Sequence, residues 1–417
     1  MDVNPPYRLA PPLPADLFAE LRQQAIFTCF KWDPQVGDEA VLSPQPLVIS
    51  ADTWRTLADL AEQLSGETLR AEAELRERPE LHHQLGLSGP IRRALRAGRM
   101  GSGPAGPQVR VMRFDFHFTP EGWRISEVNS DVPGGYNEAD GFTALMARHY
   151  PDLRQPAHVG LQLARAIAQA GPPDLPVALV HATAYSDDRQ VMEFLARALA
   201  EQGRASEFVA PDHIRWSEGR AFLHTTWSQR EVGVLARFFP AEWLPALPRR
   251  SNWKSYFSAG PTPQTNPATA ILTQSKRFPL VWPRLATPLP TWQRLLPTTV
   301  EPRAARLDDG DTWILKPTLG RIGEGIAMRG LNRPEDWSRA QRSARWWPRH
   351  WVAQQRFQTL PVQAGDTAWY PCLGMYTVNG TAAGLYGRMA RRPLIDSRAR
   401  DVAVLVEPNL AIGKVAA

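Results

Sequence analysis

The chain has 417 residues, of which 43% are hydrophobic and 22% are charged, and its net charge is +6. This length is enough for two or three domains or for one large α/β enzyme with insertions. The two cysteines, Cys29 and Cys372, are too few for a disulfide framework, so a disulfide-rich secreted domain is excluded and a cytoplasmic location is predicted. The sequence has no apolar run of about eighteen residues and no basic and apolar signal segment, so no membrane partner is expected.

The positive charge is dispersed along the chain. No run of about five to eight Lys or Arg occurs, which argues against nucleic acid as a partner, although the charge favours anionic ligands such as nucleotides. Most basic residues are arginines, and a lysine retained in such a chain is a candidate for a site that needs a compact ammonium group. The lysines are Lys31, Lys254, Lys276, Lys316 and Lys414.

The N-terminal part of the chain has a helical pattern. Residues 1–50 are rich in proline and predict a segment dominated by loops. From Asp52 onward, apolar residues recur at i, i+3 and i+4 spacing, which predicts an amphipathic helix, and the pattern continues unevenly to Arg96. We therefore expect residues 1–104 to form a mostly helical region. The glycine- and proline-rich residues 98–107 predict a loop or a domain boundary.

Strand patterns follow this break. Residues 109–118 and 123–128 alternate like strands, and the turn residues 119–122 predict a hairpin between them. A helix is expected around residues 138–149. Farther along, residues 176–210 are typical of a strand, a helix and a second strand, the topology of a Rossmann-like unit. The first loop of this unit carries no glycine-rich motif, so no dinucleotide is placed there.

A second β-rich region begins after the proline-rich residues 283–302. Its strand-like segments are residues 312–316, 351–355, 373–378 and 402–406. Lys316 ends the first of them and is followed by the glycines Gly320, Gly323 and Gly325. Glycines let backbone N–H groups approach an anion closely and lysine supplies a point charge, so this loop is a candidate phosphate site. A flexible turn after a strand would have the same composition.

Oxygen ligands are concentrated at the end of the predicted hairpin. Glu127 and Asn129 are two positions apart on an extended strand, so their side chains point to the same face. Asp115 lies across from them if the hairpin closes at residues 119–122. Three hard oxygen donors on one face suit Mg²⁺, which binds few protein oxygens and shares phosphate oxygens. An Asx turn before Pro133 would use some of the same residues.

Two further basic residues have weaker individual signals. Arg388 ends a strand-like run in a glycine-rich context and could clamp a developing anion with two hydrogen bonds, or it could lie on the surface. Lys276 on its own would be interpreted as a surface lysine.

In their order and spacing these segments resemble glutathionylspermidine synthase and its relatives, which are ligases with a circularly permuted ATP-grasp fold. The resemblance covers roughly residues 105–406 and rests on several ordered motifs. They are Arg113-Phe-Asp115, Glu127-Val-Asn-Ser-Asp-Val-Pro133 with Glu138 after it, Pro240-Ala-Glu-Trp243, Ser275-Lys-Arg-Phe-Pro-Leu-Val-Trp282, Lys316-Pro-Thr-Leu-Gly-Arg-Ile-Gly323, Gln354-Gln-Arg-Phe-Gln-Thr-Leu-Pro361 and the stretch from Val378 to Arg388.

The resemblance implies an α/β (α+β) chain with a circularly permuted ATP-grasp fold, a Rossmann-like pre-ATP-grasp subdomain and a helical N-terminal region. The metal site would belong to residues 105–160, the pre-ATP-grasp subdomain to residues 161–270 and the nucleotide-binding lysines to residues 271–417.

The resemblance also implies that the protein uses ATP and Mg²⁺. Asp115, Glu127 and Asn129 would be the metal ligands. Arg113 and Arg388 would position the substrate carboxylate and stabilise an acyl-phosphate. The residues implied to bind ATP are Lys276, Lys316, Gly320, Arg321, Gly323, Gly325, Gln354 and Gln355.

Two departures from the family pattern predict a different substrate. The family usually has hydroxyl side chains where this chain has Val132-Pro-Gly-Gly135, and an acidic residue where it has Met389. We therefore expect an ATP-dependent carboxylate–amine ligase that releases ADP and joins a small-molecule or peptide carboxylate to an amine acceptor, other than glutathione and spermidine. A kinase on the same fold and a nucleotide-binding protein without turnover are the alternatives.

Overall fold

The computed structural model describes residues 4–33, 35–36, 39–99, 108–225, 229–308, 311–320 and 325–408. No helix among these residues is long and apolar enough to cross a membrane. A π-helix, Asn137–Phe142, continues directly into a short α-helix, which confirms the helix predicted around residues 138–149. The α-helices are α1 (Ala15–Thr28), α2 (Ala51–Glu77), α3 (Gly89–Arg99), α4 (Thr143–Ala147), α5 (Val159–Ala170), α6 (Ser186–Glu201), α7 (Ile271–Gln274), α8 (Pro290–Leu295) and α9 (Pro334–Trp346).

The strands belong to several separate sheets. They are β1 (Tyr7–Leu9), β2 (Gln35–Val36), β3 (Glu39–Ala40), β4 (Leu47–Ile49), β5 (Val111–Thr119), β6 (Gly122–Asn129), β7 (Val177–Val180), β8 (Ser206–Val209), β9 (Ile214–Ser217), β10 (Arg220–His224), β11 (Gln229–Glu231), β12 (Val234–Arg237), β13 (Gln264–Thr265), β14 (Thr299–Val300), β15 (Trp313–Pro317), β16 (Ala327–Met328), β17 (Trp351–Gln355), β18 (Val362–Ala364), β19 (Thr367–Val378), β20 (Thr381–Ala390), β21 (Arg400–Val402) and β22 (Val404–Val406).

Helix α2 forms where the apolar spacing predicted it. Ser50 caps its N-terminus, because the Ser50 hydroxyl accepts a 3.0 Å hydrogen bond from the Thr53 N–H. Leu57, Ala61 and Leu64 recur at helical spacing and are fully buried. A leucine in such a position contributes about 1.5–3 kcal/mol relative to an exposed one. The buried face packs against β19, β20, α7 and α8, so α2 supports the sheet that carries the site.

The first fifty residues contain more regular structure than their proline content predicts. They include α1, of which only Leu21 and Ala25 are buried, so the helical pattern is weak in the sequence. They also include β4, which pairs with β1 on one side and with β22 on the other. The parallel pairing of β4 with β22 joins the N-terminal segment to residues near the C-terminus.

The central sheet has the strand order β21-β20-β19-β5-β6 and is antiparallel throughout. Strands β5 and β6 form the predicted hairpin, which closes between Thr119 and Gly122. The strand predicted at residues 373–378 is the end of the longer β19. Residues 402–406, predicted as one strand, are divided between β21 and β22, and only β21 belongs to this sheet.

The predicted strand–helix–strand unit is confirmed. Strands β7 and β8 are parallel neighbours, α6 connects them, and the complete sheet has the order β13-β12-β7-β8 with parallel pairing throughout. Strand β7 is buried along its whole length, as expected for a parallel strand covered on both faces.

A third sheet, with the order β14-β17-β15-β16, carries Lys316. Helix α9 covers it with Trp337, Ala340 and Ala344, which pack in one cluster with Leu315 and Ala353 of the sheet. The strands predicted at residues 312–316 and 351–355 are therefore confirmed. The loop or boundary predicted at residues 98–107 lies outside the described residues except for its first two positions, which end α3.

Candidate active site

A cavity of about 400 Å³ lies where the central sheet meets the Lys316 sheet and the start of helix α6. Strands β5, β6, β19 and β20 contribute one wall, β15 and β17 contribute a second, and residues 185–191 contribute a third. Residues of all four predicted parts of the chain line the cavity, since Lys31, Asp33 and Val41 come from residues 1–104.

The three predicted metal ligands all line this cavity. Asp115, Glu127 and Asn129 project from the β5–β6 hairpin, and the Asn129 amide donates to Asp115 Oδ2 at 3.2 Å. The register shifts by one residue beside Asp115, because Phe114 pairs with Val128 whereas Phe116 pairs with Ile125. This β-bulge leaves two residues of β6 opposite Asp115, so both Ser126 and Glu127 reach the cavity.

Two lysines place positive charge beside the predicted metal ligands. Lys276 Nζ lies 3.2 Å from Glu127 Oε2, and Lys316 Nζ donates to the Ser126 carbonyl at 3.0 Å. The backbone N–H of Lys276 also donates to the Thr318 carbonyl, which ties the Lys276 segment to the end of β15. Lys316 lines the cavity, whereas Lys276 reaches it through Glu127.

Burial and charge set the protonation of this group. Burial alone would raise the pKa of Glu127, but the ammonium groups of Lys276 and Lys316 outweigh it and lower that pKa to about 2. Burial lowers the pKa of Lys316 to about 8, since the attraction of Glu127 offsets only part of the desolvation and Lys276 opposes it. At neutral pH the carboxylate is therefore ionised and the ammonium is still charged.

The predicted nucleotide-binding residues are only partly brought together. Gly320 and Gln354 line the cavity, and Gln354 Oε1 is buried with no hydrogen-bond partner among the described residues. Gln355 is exposed and does not line the cavity, because neighbouring side chains on β17 point to opposite faces. Gly325 is described but does not line it. Arg321 and Gly323 lie outside the described residues.

The two predicted arginines differ in what they contact. The Arg113 guanidinium donates to both oxygens of Asp115, at 2.7 and 3.1 Å, and to the Gly134 carbonyl at 3.0 Å. Arg388 donates to the Asp396 carbonyl at 2.8 Å, and its buried Nε has no partner in the described part of the chain. Arg113 therefore orients the predicted metal ligand Asp115, whereas Arg388 keeps one donor without a partner among the described residues.

The glycines that replace the family's hydroxyl segment pack against tyrosines. Gly135 has φ of +93°, and a Cβ there would lie 3.0 Å from both the Tyr376 hydroxyl oxygen and Tyr386 Cε1. The Tyr376 hydroxyl donates to the Gly134 carbonyl, and Tyr386 lines the cavity. Aromatic rings therefore occupy the space into which a side chain at position 135 would extend.

The sequence reasoning missed His117. Its Nε2 lies 3.1 Å from Ser126 Oγ, and its ring lies 5.3 Å from that of Phe357. Burial lowers the pKa of His117 to about 4, so the ring is neutral. The alternation that places Asp115 on the cavity face of β5 also places His117 there, so this residue could have been found from the sequence.

The opposite end of the cavity is acidic, and most of it was also missed. Lys31 lies within 3.2 Å of carboxylate oxygens of Asp33, Glu138 and Asp401, and all of these residues line the cavity. The Tyr386 hydroxyl donates to the second oxygen of Asp401 at 2.6 Å. Asp187 and Asp188, at the start of α6, line the same cavity. The rarity of lysine and the place of Glu138 in a family motif were the sequence signals that pointed here.

The donor set on the hairpin fits Mg²⁺. Asp115 and Glu127 supply carboxylate oxygens and Asn129 supplies a carboxamide oxygen, which are the hard ligands that Mg²⁺ prefers. Within the described ranges, no group of three or more His, Cys, Asp or Glu is arranged to hold a metal ion by itself. Further ligands would come from phosphate oxygens or water, which is how Mg²⁺ usually binds beside a nucleotide.

The first of two similar solved structures shares the fold of this chain. A glutathione synthetase-like effector from Globodera pallida, solved in its apo form, superposes with a TM-score of 0.65 at 11% identity, over 94% of this chain and 97% of that one. A putative gamma-glutamylcysteine synthetase from Methylobacillus flagellatus KT superposes with a TM-score of 0.44 at 13% identity, over 83% of this chain and 87% of that one. A comparison with curated proteins found no match.

The family assignment rests on the sequence itself. The family model described as glutathionylspermidine synthase preATP-grasp matches residues 19–407, which is nearly the whole chain. This match and the fold confirm the predicted mixed α/β architecture of ATP-grasp type, with its Rossmann-like unit. The chain therefore belongs to the glutathionylspermidine synthase pre-ATP-grasp family.

Proposed function

We propose that the protein is an ATP- and Mg²⁺-dependent carboxylate–amine ligase. The observation that carries this proposal is the charge order along one cavity. Carboxylates and lysines suited to a metal and phosphates lie at one end, an arginine with a buried unpartnered donor lies next, and a carboxylate cluster suited to an ammonium group lies at the other end. The three reactants of an amide-forming ligase need these three environments.

ATP would bind at the lysine end. Lys276 and Lys316 would neutralise the phosphates, and the unpartnered Gln354 Oε1 could accept a hydrogen bond from the adenine amino group. Asp115, Glu127 and Asn129 would hold Mg²⁺, which when bound would neutralise charge on the phosphate oxygens. Arg113 would keep Asp115 in place for that role, since it binds both of its oxygens.

The acceptor substrates would meet beside Arg388. A carboxylate oxygen would attack the γ-phosphorus of ATP, ADP would leave, and the Arg388 guanidinium would stabilise the acyl-phosphate. The bound ammonium group would lose one proton to a carboxylate of the acidic end, the amine nitrogen would attack the acyl carbon, phosphate would leave, and the nitrogen would lose a second proton to give the amide. Asp401 pairs with Arg388 across adjacent strands, so the acidic end lies next to this reaction centre.

The acidic end favours a ligase over a kinase on the same fold. A hydroxyl acceptor carries no charge and gains little from carboxylates, whereas an ammonium group is attracted and concentrated by them. A protein that only bound nucleotide would need neither Arg388 nor the acidic cluster.

Product analysis tests the proposal. The purified chain would be incubated with ATP, Mg²⁺ and pooled carboxylates, with and without pooled amines, while ADP release is followed and products are weighed by mass spectrometry. We expect ADP release and an amide product only when both pools are present. A stable phosphorylated product without amide would instead indicate a kinase, and tight ATP binding without any ADP release would indicate a protein without turnover.

A further inference from the structure

One lysine of the cavity has no role in the proposed chemistry. Lys31 is only 5% exposed, and its Nζ lies 2.6 Å from Glu138 Oε1 and 3.2 Å from carboxylate oxygens of Asp33 and Asp401. It lies in the acidic end of the cavity, on the opposite side from Lys276 and Lys316. An ammonium group supplied by the chain itself therefore occupies a carboxylate site that faces the reaction centre.

The backbone around Lys31 is held in place from both sides. The N–H of Lys31 donates to the Ala25 carbonyl at the end of α1, and the N–H of Trp32 donates to Gln190 Oε1 on α6. Between them Phe30 has φ of +58°, a left-handed conformation that residues with a Cβ rarely adopt. The Phe30 ring is fixed in turn by Trp32 and by the Arg197 guanidinium, 5.1 Å from its centroid. The position of Lys31 is therefore built into the fold.

The site around Lys31 still carries an excess of negative charge. Three carboxylates surround one ammonium group, and Glu138 Oε2 is buried with no hydrogen-bond partner among the described residues. If Lys31 were neutral, these three carboxylates would bind the ammonium group of a ligand in its place. Asp187 and Asp188, which line the same cavity, would add to the attraction. With Lys31 in place, the position closest to Glu138 and Asp401 is filled.

The lining of this cavity is both apolar and acidic. Val41, Val132 and Val191 line it together with the ring of Tyr386, and Asp187 and Asp188 line it at the start of α6. An acceptor can therefore place a hydrocarbon chain against the valines, whereas the buried carboxylates Glu138 and Asp401 are already paired with Lys31.

We infer that Lys31 determines acceptor specificity by occupying the ammonium site at Glu138 and Asp401, so that the acceptor is a monoamine rather than a diamine or polyamine. This inference rests on the proposed ligase function, because it names the class of its amine substrate. It identifies Lys31 as a specificity-determining residue and not as a catalytic one.

Binding of two matched amines tests the inference without requiring turnover. Calorimetric titration would compare n-butylamine with 1,4-diaminobutane on the wild-type chain and on Lys31→Met, which keeps the length of the side chain and removes its charge. We expect the wild type to prefer the monoamine, and the ratio of the two affinities to shift at least tenfold toward the diamine in Lys31→Met. Lys254→Met, which changes an exposed lysine, should leave the ratio unchanged.

A second variant keeps the test decisive if Lys31→Met folds poorly. Lys31→Met combined with Glu138→Gln removes the carboxylate closest to Lys31, so less negative charge is left buried without a counter-ion. A merely structural role for Lys31 would lower the thermal midpoint without changing the affinity ratio, and an unchanged ratio in the folded variant would overturn the inference. A shifted ratio with no amide product from any amine would uphold the ammonium site and overturn the ligase. Amide formation with an unchanged affinity ratio would uphold the ligase and overturn the role of Lys31 in acceptor specificity.

Discussion

Gly374 is the residue that gives Arg113 its path to Asp115. It lies on β19, in register with Asp115 on one side and Tyr386 on the other. A Cβ at this position would lie 2.6 Å from Arg113 Cδ and 2.9 Å from Arg113 Nε, which is closer than atoms approach in folded proteins. The absence of a side chain therefore lets the guanidinium pass over the strand and bind both oxygens of the carboxylate.

The substitution Gly374→Ala should disable the site while leaving the fold intact. The added methyl group would push the Arg113 side chain away and break its bonds to Asp115, and a displacement of about 1 Å in such a site can cost about 100-fold in rate. We expect a loss of ADP release of that order, with a small change in thermal midpoint. Gly89→Ala is the matched control, because a Cβ there meets only the flexible end of Arg93. Retention of most of the activity by Gly374→Ala would show that Arg113 does not depend on this path.

Lys316 is held charged at a cost to stability. Its pKa falls from 10.5 to about 8 through burial, which corresponds to a destabilisation of at most about 3 kcal/mol at neutral pH. The folded chain binds fewer protons than the unfolded chain between pH 8 and 10.5, so this destabilisation is complete below pH 8 and disappears as the pH rises toward 10.5.

The substitution Lys316→Met should remove this pH dependence and weaken nucleotide binding. The stability of the wild type relative to the variant should increase between pH 8 and 10.5, because the cost of the buried ammonium group disappears in the wild type over this range. Thermal midpoints of both chains from pH 7 to 10.5 measure this difference. Binding of ATP with Mg²⁺ should weaken at least tenfold in the same variant. Lys254→Met, with its exposed side chain, should change neither quantity. A difference between wild type and Lys316→Met that stays constant with pH would contradict the assigned effect of burial.

At the scale of elements, the hairpin shows what the sequence can and cannot predict. Alternating side chains predicted β5, β6 and the shared face of Glu127 and Asn129, because alternation is a local property of a strand. The bulge beside Asp115 was not predictable, since an extra residue in one strand is defined only by its pairing with the other. Ser126, which the bulge turns into the cavity, was missed for that reason.

The end of this hairpin is attached to the parallel sheet by a buried ion pair. Asp131 accepts from the Arg237 guanidinium through one oxygen and from the Ala241 N–H through the other, at 2.8 Å. The side chain of Arg237, on β12, is fully buried, and the side chain of Asp131 is 5% exposed. The pair therefore fixes the β5–β6 hairpin against the Rossmann-like unit, with both charges out of water.

The substitution Arg237→Leu should destabilise the chain strongly. It leaves the Asp131 carboxylate buried without its counter-charge, and breaking a buried pair in this way costs about 3–5 kcal/mol. Thermal or urea unfolding measures the effect. Arg8→Leu breaks an exposed pair with Glu407 and should cost less than about 1 kcal/mol. Similar losses in the two variants would mean that the Asp131–Arg237 pair is not the connection that we describe.

At the scale of the whole molecule, the active-site cavity is assembled from segments that are distant in sequence. Asp33, Glu138 and Asp401 meet around Lys31 although the chain separates them widely. No periodicity connects such residues, and of the three carboxylates only Glu138 belongs to a family motif, so most of the acidic end could not be derived from the sequence. The residues of the lysine end were predicted because their motifs keep the order and spacing of a known family. Such a resemblance carries information about tertiary contacts that local patterns do not contain.

This assembly predicts that nucleotide binding stabilises the entire fold. A ligand present at 100 times its Kd adds about 2.7 kcal/mol to the free energy of unfolding. ATP with Mg²⁺ should therefore raise the thermal midpoint of the wild type by several degrees.

The substitution Glu127→Gln should abolish this rise and ADP release, because an amide oxygen is neutral and cannot supply the negative charge proposed to bind Mg²⁺ and paired with Lys276. Without ligand, Glu127→Gln should still unfold cooperatively, at a midpoint lowered by the loss of the Glu127 charge beside Lys276 and the buried Lys316. Differential scanning calorimetry with and without ATP and Mg²⁺ measures both effects. Glu242→Gln is the control, because Glu242 lines the same cavity but is not one of the proposed metal ligands. An undiminished midpoint rise in Glu127→Gln would remove Glu127 from the metal site and leave Asp115 and Asn129 as its only hairpin ligands.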